Sequence, residues 1–301
     1  MKLLIELSEL FRLLYIQFKM IFPYWIAGVG IGSVFSVFLA VRITGIVAQI
    51  NRKNFRVSGT VAAALLGAAS PICMYGTVPL IASLGKRGTP QYLLAAFMVS
   101  SILINPNLFI FSFALGAPIA FLRLGSSLLA GVIAGGMVYY FFREKQFFFF
   151  EGFEEKQKGA KPHTLEAFLK DMHRGIIKTA PYFLIGILLT ALFERYVPKA
   201  PFIELFGSHQ ELGVLLAVSL GVPVYVCGGG TIPLLKSWLD TGMSAGAAVA
   251  FAMSGAATKL TNLSAVKIIL GIRNFALYVG FNLLYAVLVG WLIDGFYKIF
   301  S

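Results

Sequence analysis

Apolar stretches long enough to enter or cross a bilayer follow one another through almost the whole chain, at about residues 22–41, 57–84, 91–115, 117–142, 212–239, 244–270 and 275–294. Inside hydrocarbon a spanning backbone must satisfy its own hydrogen bonds, so it is helical or a closed barrel. A barrel would read as short segments of alternating polarity, and no such pattern is present. Hydrophobic residues make up 58% of the chain and charged residues 13%, against about 25% charged in a soluble domain. The expected fold is an all-α polytopic membrane protein with the lipid bilayer as its principal partner.

The formal net charge of +12 invites comparison with nucleic-acid binders. Lys and Arg instead gather in the loops between spans, as the positive-inside rule expects, and no basic stripe with interleaved aromatics appears, so nucleic acid is excluded as a partner. Residues 1–19 carry Glu6, Glu9, Arg12 and Lys19, too charged for a signal-peptide core. Apolar residues at 3, 4, 7, 10, 11, 14 and 18 fit an amphipathic interfacial helix.

Two apolar segments carry the same interruption. The first reads Ser70-Pro71-Ile72-Cys73-Met74-Tyr75-Gly76-Thr77-Val78-Pro79 and the second Cys227-Gly228-Gly229-Gly230-Thr231-Ile232-Pro233. Proline removes a backbone donor and glycine weakens a helix, so neither segment runs through as one helix. Arg52, Lys53 and Arg56 precede the first segment and Lys86 and Arg87 follow it. Both flanks are therefore expected on the cytoplasmic side, which makes the segment a re-entrant hairpin. Such backbone is tolerated at membrane depth only when buried in protein or lining a cavity. Two further interruptions are expected, at Asn105-Pro106-Asn107 and at Thr258-Lys259.

The halves also match in sequence. At an offset of 154, ten of the 28 positions from 73 to 100 are identical in the second half, among them Cys73/Cys227, Gly76/Gly230, Thr77/Thr231, Pro79/Pro233 and Ser100/Ser254. Leu115-Gly116 and Gly125 match Leu270-Gly271 and Gly280 at an offset of 155. The flanking charges reverse: Lys86-Arg87 becomes Asp240-Thr241, and the basic loop before the first hairpin has no basic counterpart. The expected architecture is two inverted-topology repeats, each about three transmembrane helices plus a broken re-entrant hairpin. Residues 1–142 form the first repeat with its N-terminal amphipathic helix, 143–178 a cytoplasmic linker, and 179–301 the second repeat. The linker holds eight Lys/Arg and six Asp/Glu; His163 and His173 in it, and His209 in an outer loop, are expected to be solvated.

In such folds substrate binds near the midplane, where discontinuous helices meet. Thr77 and Thr231 are expected as N-caps of the second hairpin arms, directing positive helix ends inward. Gly76 and residues 228–230 either let a ligand approach the backbone or only permit helix packing. Cys73 and Cys227 either ligate a soft, thiophilic species or are small buried hydrophobes; Met74 and Met253 stand under the same pair of readings. Thr258 and Lys259 mark the break of an otherwise uncharged segment, where the lysine either serves the site or snorkels to an interface. Its counterpart Asn105 either holds a polar ligand or satisfies the broken helix. Ser100 and Ser254 are candidates to line the path. No cofactor is expected. The two cysteines lie 154 residues apart with no zinc-finger spacing, and no nucleotide-binding signature appears.

The motifs resemble those of a prokaryotic predicted-permease family that includes the organoarsenical efflux permeases. Pro71 to Leu80 with Asn105-Pro106 is similar to its first signature. Gly221-Val222-Pro223-Val224-Tyr225-Val226-Cys227, then Gly230 to Leu234, is similar to its second. One departure stands out: Tyr75 occupies the place of a second cysteine in the first signature. The resemblance implies an inner-membrane secondary transporter, not an enzyme, and in some members export of trivalent organoarsenicals or soft metals. Three function classes stand side by side: an efflux permease working by alternating access on a thiophilic solute; a transporter or channel for a small anion or polar solute held at helix N-termini and Lys259; and a membrane thiol redox carrier. The absence of a basic partner beside either cysteine argues against the third.

Overall fold

The computed structural model describes residues 56–70, 74–86, 88–143, 146–149, 210–225 and 228–300, with scattered helical positions between 8 and 26 and between 166 and 191. Most of the expected first span, most of the linker, Cys73 and Cys227 lie outside the described residues. Every described element is helical: α1 Arg56–Ala69, α2 Met74–Lys86, α3 Gln91–Leu103, α4 Pro106–Ser112 with a 3-10 turn Phe113–Leu115, α5 Ala117–Phe141, α6 Gln210–Val224, α7 Gly228–Asp240, α8 Ala245–Thr258 and α9 Leu260–Phe300.

The breaks fall where covalent geometry demands them. α1 ends before Ser70, whose helical conformation Pro71 disfavours. α3 ends at Leu103; Ile104 and Asn105 are extended, and Pro106 opens α4 at a position that needs no backbone donor. Each arm of the two interrupted segments, α1, α2, α6 and α7, has 13 to 15 residues. At a rise of about 1.5 Å per residue each is about 20 Å long, short of the roughly 30 Å hydrocarbon core. Among the described residues three helical segments are long and apolar enough to cross a membrane: Gln91–Leu115, which takes in α3 and α4 across their break, Ala117–Phe141 and Val266–Ile299. Four glycines take positive φ among the described residues: Gly88 (83°), Gly116 (114°), Gly242 (113°) and Gly271 (67°). They fall into the pairs 88/242 and 116/271 that the sequence offsets align. Gly271 divides α9, so residues 260–270 and 272–300 are two helical segments meeting at a kink.

α3 and α8 are the innermost helices: residues 93–104 and 246–258 are buried without interruption. α3 lies between α1 and α5, as α8 lies between α6 and α9. Small residues let backbones approach closely, the usual device where lipid removes the hydrophobic drive for helix pairing. The contacts recur residue by residue. A side chain on Gly135 would fall on Thr60, Ala96 and the Tyr92 carbonyl, and one on Gly290 would fall on Val214, Ala250 and the Gly246 carbonyl. Gly67 abuts the carbonyl of Phe97, and Gly221 that of Phe251. Across the halves, α2 packs on α9, and α7 packs on α4 and its 3-10 turn. Phe121, Leu129, Met137, Leu284, Leu288 and Leu292 remain exposed on the outer faces of α5 and α9, the surface that a bilayer covers.

The polar linker begins inside the protein. Phe147 and Phe148 are buried, and both backbone N–H groups donate to the side-chain oxygen of Gln91 at the start of α3. Asn274 donates to the Phe147 carbonyl at 2.9 Å, and the Phe149 N–H donates to the Ile269 carbonyl at 2.7 Å. Residues 146–149 therefore strap the start of α3 to α9 on either side of Gly271. A cavity of about 590 Å³ opens beside this strap, against Gly88, Thr89 and Gln91; none of the candidate site residues lines it.

Candidate substrate site at the helix breaks

The hairpin threonines are not N-caps. α2 begins at Met74 and α7 at Gly228, so Thr77 and Thr231 each lie one turn inside a helix. The first turns include Gly76 and residues 228–230, which accept helical geometry once the surrounding packing fixes it, and so move each start four residues earlier. One consequence follows for Pro79 and Pro233. They lie in the second turn, where the missing N–H leaves the Tyr75 and Gly229 carbonyls without their i+4 donor. Each hairpin thus presents an acceptor on its first turn.

The two threonines differ in environment. Thr77 is fully buried, and its hydroxyl shares a hydrogen bond of 3.1 Å with Ser101, which donates onward to the Met98 carbonyl at 3.2 Å. Thr231 is 3% exposed and its hydroxyl has no partner among the described residues. The residue matching Ser101 is Gly255, whose open face the Tyr225 ring covers. Ser70, just before the first break, is also fully buried, and its hydroxyl has no partner among the described residues. Thr77→Val is expected to lower stability by about 1 kcal/mol, the net worth of a hydrogen bond, while Thr231→Val is neutral or stabilising because it removes an unsatisfied buried group. Unfolding midpoints in detergent check this; equal losses would mean that the fold itself bonds the Thr231 hydroxyl.

At the other two breaks the chain is extended over one or two residues. The Asn105 side chain accepts from the Leu108 N–H at 2.9 Å, so its amide oxygen serves the broken helix as an N-cap. Thr258 donates to the Ser254 carbonyl at 2.7 Å and is 1% exposed. Lys259 is the non-helical link to α9, half-buried, and its carbonyl accepts from Leu263 as that of Asn105 accepts from Phe109. Ser100 and Ser254 are fully buried against Gly131 and Gly221 of neighbouring helices, and so act in packing rather than facing an open path. Among the described residues no group of His, Cys, Asp or Glu could hold a metal. Cys73 and Cys227 fall in the gaps before α2 and α7. The packing of α2 on α9 and of α7 on α4 sets each hairpin arm against the segment that follows a break in the other half.

Two buried charges within the apolar helices escape a reading by motif. Arg123 lies on the inner face of α5 at 1% exposure. Asp294, at 5%, accepts from the Ser244 hydroxyl at 2.6 Å and the Gly246 N–H at 2.7 Å, closing the start of α8. The available signal was the charge itself, standing alone in a span of otherwise apolar residues.

Comparison with known proteins places this arrangement in a family. Residues 6–295 match the family model ArsP_1, described as a predicted permease. The UPF0718 protein YcgR of Bacillus subtilis (strain 168) is 24% identical over 246 residues, 80% of this chain and 82% of the relative. The UPF0718 protein MJ0584 of Methanocaldococcus jannaschii is 19% identical over 112 residues, 37% of this chain and 31% of the relative. No solved structure matches. With nearly its whole length matched, helices able to span a membrane and its innermost helices broken at mid-length, the chain belongs to the ArsP_1 family of predicted permeases.

Proposed function

We propose that the protein is a secondary efflux permease of the cell inner membrane, working by alternating access between two inverted repeats. Its cargo is a small thiophilic solute, such as a trivalent organoarsenical or a soft metal ion. The observation that carries the reading is the pairing of the breaks: α1/α2 with α6/α7, and Asn105 with Lys259, with the same glycine contacts around each. Broken backbone at membrane depth lines a cavity or is buried in protein. The reversal of flanking charge supports the inversion. The site would combine Cys73, Gly76 and Thr77 from one hairpin, Cys227, Gly230 and Thr231 from the other, and Asn105, Thr258 and Lys259 from the remaining breaks. Thiolate ligands select soft species, so the two cysteines carry the substrate class.

A second reading rests on Lys259. A cation at a break, taken together with the positive ends of α2 and α7, favours a small anion or polar solute. Reconstituted vesicles separate the two. Saturable methylarsenite flux that is lost in the Cys73→Ser/Cys227→Ser double variant and only weakened in Lys259→Ala is the expected result. The opposite pattern overturns the thiophilic reading in favour of an anion. Single cysteines introduced at residues 51–56 and 199–209 of a cysteine-free chain should label from opposite sides; labelling from one side removes the inverted repeat.

A further inference from the structure

We propose that Arg123 forms a binding site for a small soluble oxyanion, a carboxylate or phosphoryl group, held on one edge of its guanidinium. The site is separate from the hairpin tips and goes beyond the transport reading. Arg123 is the seventh residue of α5, about 9 Å along the helix from its start at a rise of 1.5 Å per residue. It does not snorkel, since it is 1% exposed and stands on the stripe of Ala120, Ser127, Ala130 and Ala134 that faces the protein. Phe121 and Leu129 on the same helix face outward, so lipid has no direct access to it.

The guanidinium is fixed at one nitrogen and open at two. Nη1 donates to the Ser112 hydroxyl at 2.9 Å, and that hydroxyl donates to the Leu108 carbonyl at 2.6 Å. The proton of Ser112 is thus committed and its lone pair holds Nη1 in place. Nε and Nη2 are buried and have no partner among the described residues. Those two nitrogens form one edge of the planar group, with parallel N–H bonds whose spacing matches two oxygens of a carboxylate or phosphate. Among the described residues no carboxylate pairs with Arg123. Leaving a guanidinium buried with a bare fork is costly, and an anion seated on that edge removes the cost. Ser127 is one turn further along the same face, fully buried, and its hydroxyl has no partner among the described residues. It provides a further donor. Ser112 belongs to α4, which packs on α7, so the anion is one helix away from the second hairpin arm.

The test uses the purified full chain in a buffer whose only other anion is chloride, titrated calorimetrically with acetate, inorganic phosphate and sulfate. Saturable binding of acetate or phosphate is expected. Arg123→Lys, which replaces a fork by a point charge, should weaken it about tenfold; Arg123→Gln should abolish it, and Ser127→Ala should weaken it severalfold. Wild-type protein that binds none of the three anions overturns the site even if no variant folds, and so does an unchanged affinity in Arg123→Lys. Repeating the titration in phosphatidylcholine and phosphatidylglycerol nanodiscs separates sources: equal binding supports a soluble anion, while loss in phosphatidylglycerol assigns the fork to a lipid headgroup and overturns it. Binding is read without a gradient, so failure here leaves the permease reading standing, and failed flux leaves this site standing.

Discussion

Gly67→Val and Gly221→Val are each expected to yield no monodisperse protein after detergent extraction, while Gly125→Ala and Gly136→Ala express and elute as wild type. The first pair sits where one helix backbone touches another. A Cβ on Gly67 would press into the Phe97 carbonyl, with the Phe97 Cα and carbonyl carbon 3.1 Å away; one on Gly221 would lie 3.0 Å from the Phe251 carbonyl oxygen and 3.1 Å from the Gly255 nitrogen. The Phe97, Phe251 and Gly255 atoms belong to the main chain of the two innermost helices and cannot rotate aside; at Gly221 the Ser254 hydroxyl is nearer still and would also have to move. Overpacking a core costs about 1–3 kcal/mol where side chains yield, and here the rigid partner puts the loss at or above the top of that range. Gly125 and Gly136 have open space around them, and alanine there should raise stability by about 0.5–1 kcal/mol. Fluorescence-detected size exclusion reads all four. Normal elution of either valine variant would mean that α1 and α3, or α6 and α8, are less closely seated than described.

Asp294→Ala is the second large effect, with an expected loss of about 3 kcal/mol for two charge-assisted hydrogen bonds and the unsatisfied groups left behind. The carboxylate joins the far end of α9 to the first turn of α8, where it also meets the positive end of that helix. Gly246 permits the approach, since a side chain there would collide with Asp294 and the Gly290 carbonyl. Asp294→Asn keeps an acceptor and should lose about half as much. Thermal unfolding followed by circular dichroism checks the order; an alanine variant as stable as wild type would show that the Ser244 hydroxyl alone closes the helix.

The breaks were legible in the sequence because proline and glycine act through local covalent geometry. Pro71 and Pro106 mark the chain wherever it is placed, and the break expected at Thr258-Lys259 falls between α8 and α9; Gly271 was legible only as a match to Gly116. The register of the hairpin arms was not, because a run such as residues 228–230 favours no conformation until packing decides it. The threonine that looked like a cap is thereby carried into the helix. Asn105 left two roles open, and its hydrogen bond from Leu108 supplies the capping one through the amide oxygen. Arg123 and Asp294 were passed over within spans that otherwise read as apolar, since a partner such as Ser112 or Gly246 is a property of the fold and not of the neighbouring residues. The linker composition concealed Phe147 and Phe148 in the same way.

The strap at residues 146–149 sets where motion can occur. By bonding to Gln91 on one side and to Ile269 and Asn274 on the other, it fastens one point on each half to the same short piece of chain. The halves also meet where α2 packs on α9 and α7 on α4. Under the alternating access proposed above, the strapped end is expected to act as the fulcrum, with displacement growing with distance from Gly271.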